Sequence, residues 1–87
     1  MTEPSVIETL RVWIGDQFLV DGEAALLTPE TPLISGGILD SIATLGLVAF
    51  LEERYGIEFE AHEVSRERLD TLAAIERLVL DKRARLA

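Results

Sequence analysis

Apolar positions along the chain fall into three stretches at helical spacing, joined by one long connection and one short one. Val6, Ile7, Leu10, Trp13, Ile14 and Phe18 recur three and four residues apart, which predicts a first helix with one buried stripe. Trp13 belongs to that stripe and is expected in the core. Thr2 or Ser5 can cap this helix, Pro4 suits a first turn, and Ser5-x-x-Glu8 matches a capping box. Asp21-Gly22 reads as punctuation after it.

A second helix is predicted over 41–55, beginning at Asp40-Ser41 and stopped by Gly56. On a helical projection Leu47, Leu51, Thr44, Tyr55 and Val48 share one arc of about 100°, the natural core face. Glu52, Leu45, Ala49, Ile42, Glu53 and Gly46 occupy the opposite arc, with Ala43 and Phe50 on the boundary. The glutamates mark that arc as solvent-facing, yet its first half is apolar. Exposed apolar patches mark interaction sites, so Ile42, Leu45 and Ala49 read as a docking strip. The alternative is that the preceding loop folds over them.

A single helical turn is expected around 61–64, and a last helix from Asp70 or Thr71, both good caps. That helix carries Leu72, Ile75, Leu78, Val79 and Leu86 inward and ends in Lys82, Arg83 and Arg85, which complement its dipole. The connection over 20–40 is long for so small a chain, and such loops are often functional. Leu26, Leu27, Leu33, Ile34, Ile38 and Leu39 indicate that it packs on the helices. Gly36-Gly37 lacks the Gly-Lys-Ser/Thr of a phosphate-binding loop and reads as a tight turn. With no strand pattern, the expected architecture is all-α: three main helices, one short helix and a long first loop, in a single domain over 1–87.

Composition narrows the function classes. A chain of 87 residues builds one modest core, and 48% hydrophobic residues favour a folded globule. There is no cysteine, so no disulfide, thiolate metal site or thiol nucleophile. A net charge of −8 argues against binding nucleic acid or an anionic membrane surface and suits partners with basic docking sites, although acidity also serves solubility. The first residues do not read as a secretory signal, and the longest apolar run, 45–51, is too short to span a bilayer. A cytoplasmic monomer is expected.

Candidate chemistry centres on Asp40-Ser41. Either residue can simply cap the second helix. A catalytic serine needs a base with an orienting partner; His62 is the only histidine, reads as a surface residue, and nothing in the sequence brings it to Ser41. The Gly-x-Ser-x-Gly elbow is absent, and the scattered carboxylates do not match a calcium loop. No enzyme activity is expected.

Gly36-Gly37-Ile38-Leu39-Asp40-Ser41-Ile42, followed by residues 47–57 with Leu51-Glu52-Glu53-Arg54-Tyr55-Gly56-Ile57, resembles the acyl carrier and peptidyl carrier protein family. Leu69-Asp70-Thr71-Leu72-Ala73-Ala74-Ile75 resembles the start of that family's last helix, and the similarity covers nearly the whole chain. The resemblance implies a small acyl-carrier-type bundle. It implies a 4′-phosphopantetheine arm attached to Ser41 by a phosphopantetheinyl transferase that uses coenzyme A, with Asp40 able to contribute a ligand to the transferase's Mg²⁺. The thiol of the arm would carry an acyl or aminoacyl group as a thioester, loaded by an adenylating ligase and passed to downstream acyl-processing enzymes. That accounts for a carrier without cysteine, since the reactive sulfur arrives with the arm.

The chain departs from carriers of fatty acid synthesis, which are typically acidic along the exposed first half of the second helix. Here those places hold Ala43, Thr44, Leu45 and Gly46, and acid returns at Glu52, Glu53, Glu58, Glu60 and Glu63. Partners are therefore expected to grip Ile42, Leu45 and Ala49, with acidic steering displaced toward Glu52 and Glu53. This resembles stand-alone carriers of peptide, polyketide and other specialised pathways. A fatty acid carrier is the alternative within the family, and an unmodified helical adaptor the alternative outside it.

Overall fold

Each helix begins where a short polar side chain can satisfy the first orphan N–H groups. In the computed structural model, which describes residues 4–18 and 27–86, the hydroxyl of Ser5 accepts the Glu8 N–H at 3.1 Å and starts α1, Val6–Phe18. Glu8 turns its carboxylate to Arg11 at 2.7 Å. The second helix, α2, is Ser41–Tyr55. Gly56, in the left-handed region at φ 66°, stops it and donates its N–H to the Glu52 carbonyl at 2.9 Å. A 3-10 turn, Ala61–Glu63, a four-residue helix α3, Arg66–Leu69, and the long α4, Leu72–Leu86, complete the order. Among the described residues the structure is all helix, turn and loop.

The last helix packs against each of the other three. Leu72, Ile75, Leu78 and Val79 are buried on it, as their spacing predicts, and meet Leu10 and Ile14 of α1 and Leu47 and Leu51 of α2 in one core. Leu27, Leu33 and Leu39 of the long loop are buried in the same core, with Ile34 and Ile38 half-buried against it. Two positions of α2 are sharpened: Ala43 is buried and Phe50 half-buried. Trp13 is corrected from core to margin, because its ring is half-buried and stacks on Phe50 at 5.3 Å and 18°. Thr2, Asp21-Gly22, Val20 and Leu26 lie outside the described residues, as do the side chains of Phe18 and Leu86.

The helix α3 was not expected, and it changes the reading of Asp70. Ser65 caps α3 by accepting the Arg68 N–H at 3.3 Å, and Asp70 ends it. The cap of α4 is therefore Thr71 alone, whose hydroxyl accepts the Ala74 N–H at 3.1 Å. Asp70 turns instead to the long loop. Its Oδ1 accepts the N–H groups of Ile34 and Ser35 at 2.8 and 2.9 Å, and its Oδ2 accepts the Ser35 hydroxyl at 2.7 Å. Two backbone bonds reinforce this staple: Leu33 N–H donates to the Asp70 carbonyl at 2.6 Å, and Ala73 N–H to the Pro29 carbonyl at 3.0 Å. The Ser35 N–H and hydroxyl hold the Asp70 carboxyl below the usual carboxylate range. Gly36 and Gly37 make the turn between staple and helix. A Cβ on Gly36 would lie 2.2 Å from the Pro32 carbonyl oxygen, and Gly37 sits at φ 84°.

Candidate functional site

The start of α2 divides its work between neighbouring residues. Asp40 has an extended backbone, and its Oδ1 accepts the Ala43 N–H at 2.7 Å. Its carbonyl accepts both the N–H and the hydroxyl of Thr44, at 2.9 and 2.7 Å. Thr44 is buried, so this pair anchors the helix start to the core. Asp40 is thus the cap, a role that contributes about 0.5–2 kcal/mol to a helix. Ser41 is released from it. Ser41 is exposed at the first helical position, and among the described residues its hydroxyl has no hydrogen-bond partner.

Ser41 opens onto a shallow cleft of about 520 Å³. Ile34 and Leu39 of the loop, Thr44 and Leu45 of α2, and Val64, Ser65 and Arg66 at the start of α3 line it with Asp40 and Ser41. The loop side of this cleft is held by the Asp70 staple, since Asp70 binds the N–H of Ile34 itself. The far side is set by the Ser65 cap, which fixes the entry to α3. Arg66 is exposed and is the one cation among the lining residues.

Beside the serine, the apolar strip is open to solvent. Ile42 is 81% exposed and Leu45 62%, and Ala49 and Gly46 are exposed as well. The alternative in which the loop buries them is thereby corrected. Along one border of the strip the Trp13 ring lies 3.8 Å from where a Cβ on Gly46 would stand.

The acidic residues beyond the strip separate into two kinds. Glu53, Glu58 and Glu60 are exposed. Glu52 is half-buried, and its Oε2 accepts the Phe59 N–H at 2.9 Å, so it ties α2 to the following segment. Glu63 is corrected from surface acid to buried ion pair. Its Oε1 accepts the Glu60 N–H at 2.8 Å and meets Lys82 Nζ at 2.5 Å, and these contacts hold its carboxyl below the usual range. Lys82 is accordingly taken by Glu63 and the Phe59 ring, 5.5 Å away, rather than by the helix terminus. His62 is exposed, pairs with Glu60 at 3.4 Å, and is not among the residues lining the Ser41 cleft.

Sequence reasoning singled out Ser41, Asp40 and the strip but did not foresee the cleft wall formed by Val64, Ser65 and Arg66. The signal for that wall was Ser65 three residues before Arg68, a capping position ahead of the buried Leu69. Among the described residues no group of three or more metal-ligating side chains is assembled, and no helix is long and apolar enough to cross a membrane. No protein-family model matches the chain, and no curated protein matches it.

Proposed function

We infer that the chain is a carrier protein, with Ser41 as the attachment point of a 4′-phosphopantetheine arm. The observation that carries this reading is the division of labour at the helix start. Asp40 supplies the cap, so the neighbouring serine hydroxyl is exposed and unengaged among the described residues. A serine needed for capping would be costly to modify. This one is not needed there, and the N-terminus of a 15-residue helix favours the negative charge of a phosphodiester.

Attachment is the work of a separate transferase. Ser41 Oγ attacks the phosphorus that bears the pantetheine of coenzyme A, the serine proton passes to a base of that enzyme, and the adenosine bisphosphate portion leaves. The arm, once attached, supplies a thiol that forms a thioester with an acyl or aminoacyl group. The chain's own residues present it: Ser41 fixes the point of attachment, Asp40 keeps the helix start rigid, and Ile42, Leu45 and Ala49 offer apolar contact to a ligase or acyl-processing partner. The first turn of α2 carries no acidic residue, which favours a specialised pathway over fatty acid synthesis. The protein acts as a cytoplasmic monomer and performs no catalysis itself.

Intact mass after incubation with coenzyme A and a broad-specificity phosphopantetheinyl transferase tests this. One phosphopantetheine increment is expected, and none in Ser41→Ala. An unchanged mass beside a modified control carrier overturns the reading. It would leave the exposed Ile42 and Leu45 as the surface of an unmodified adaptor. The mass of the species loaded in the native host then separates the pathways, since a growing series of fatty acyl chains would identify a fatty acid carrier.

A further inference from the structure

The cleft next to Ser41 has an uneven chemistry. Ile34, Leu39, Leu45 and Val64 make its walls apolar, and its polar groups are mostly engaged. Asp40 Oδ1 accepts from Ala43, the Thr44 hydroxyl donates to the Asp40 carbonyl, and the Ser65 hydroxyl accepts from Arg68. Arg66 differs. It lines the cleft on the side of α3, it is exposed, and no hydrogen bond ties its guanidinium to a described residue; among the described residues its electrostatic neighbour is Asp70. Asp70 already accepts three hydrogen bonds from Ile34 and Ser35. Arg66 thus puts a donor fork on the wall of the cleft onto which Ser41 opens.

We propose that Arg66 is a positioning residue for the group on Ser41. It pairs with the phosphodiester and biases the arm to lie along the cleft between α2 and α3 rather than out into solvent. This rests on Ser41 being the attachment point. A phosphodiester carries one negative charge and two non-bridging oxygens, which match the planar donors of an arginine. Asp40, the other charged group of the cleft, repels the same phosphate and so favours the side on which Arg66 stands. Because Arg66 is exposed, the pairing is loose, and the arm remains free to leave for a partner enzyme.

The test uses the arm-bearing protein with natural-abundance pantetheine protons as the probe. Nuclear Overhauser contacts from the arm to the Leu45 and Val64 methyl groups are expected in the unsubstituted protein. In Arg66→Gln their intensity should fall about twofold to fivefold, the range an exposed ion pair supports. In Arg66→Lys the loss should be partial, and Arg68→Gln, on the same short helix but outside the cleft, should match the unsubstituted protein. Circular dichroism verifies that each variant keeps its helices. If the arm attaches but its contacts are equal in the unsubstituted protein and Arg66→Gln, the role of Arg66 is overturned while the attachment reading stands. If no arm attaches, both fall together.

Discussion

Removing the Asp70 carboxylate should release the long loop from the helices while leaving α2 intact. The side chain accepts three hydrogen bonds, from Ile34 N–H, Ser35 N–H and the Ser35 hydroxyl, all at 2.7–2.9 Å. Hydrogen bonds to a charged group contribute more than neutral ones, but Ser35 is exposed, so water replaces part of what is lost. For Asp70→Ala we expect a net loss of about 2 kcal/mol, which lowers the melting temperature of a domain this size by about 8–16 °C. Asp70→Asn keeps an acceptor for the two N–H groups and should lose about half as much.

The same carboxylate makes a signed prediction about acid. Its native pKa is lowered, chiefly by the Ser35 hydrogen bonds, so the unfolded chain takes up the proton more readily than the native one. The contribution is therefore complete above the unfolded value near pH 4 and is lost as pH falls through the lower native value. Glu63 is shifted in the same direction by Glu60 and Lys82, so Asp70→Asn should reduce the acid slope without abolishing it. Thermal melts between about pH 3 and 6, with amide exchange read at Ile34 and Ser35, check both parts. The reasoning is refuted if Asp70→Ala melts within about 1 kcal/mol of the unsubstituted protein. Superimposable acid slopes for the unsubstituted protein and Asp70→Asn would refute the titration argument.

Three further outcomes follow from the same geometry. Leu45→Glu should change stability by less than about 0.5 kcal/mol because Leu45 is exposed, whereas Leu47→Ala, at a fully buried position, should cost about 2–5 kcal/mol; denaturant melts of the pair compare the two faces of α2 directly. Gly36→Ala should destabilise by about 1–3 kcal/mol, since its Cβ would meet the Pro32 carbonyl oxygen, and an unchanged denaturation midpoint would mean that the turn is not held as described. The buried Tyr55 hydroxyl has no partner among the described residues, so Tyr55→Phe should be neutral or stabilising in a thermal melt; a loss above about 1 kcal/mol would reveal a hydrogen bond there.

What could be read in the sequence was what depends on neighbours along the chain. Both ends of α2 carry local punctuation, Asp40 as cap and Gly56 in the left-handed region, and its two faces follow from spacing alone. The four residues of α3 are too few to show a helical period, so the helix went unseen although Ser65 caps it. Asp70 and Thr71 could not be told apart as caps, because the partners of Asp70 lie 35 and 36 residues away, a distance over which a local capping rule carries no information. Glu63 failed for a similar reason: its burial depends on Lys82 arriving from α4.

These two kinds of information meet at Ser41. Its cap and its apolar neighbours are local features, whereas the cleft beside it is assembled by the distant contacts that spacing could not show. Asp70 secures Ile34 on one wall, and the Ser65 cap sets Val64 and Arg66 on the other. The two should therefore be separable in the protein. Loosening the loop through Asp70→Ala alters the cleft wall but leaves the Asp40 cap, because the bond to Ala43 spans only three residues. Such a variant, folded at low temperature, should still present Ser41 for modification while holding whatever is attached there less well against Ile34 and Leu45. For the proposed arm, attachment would then depend on the helix start, and retention along the cleft on the tertiary fold.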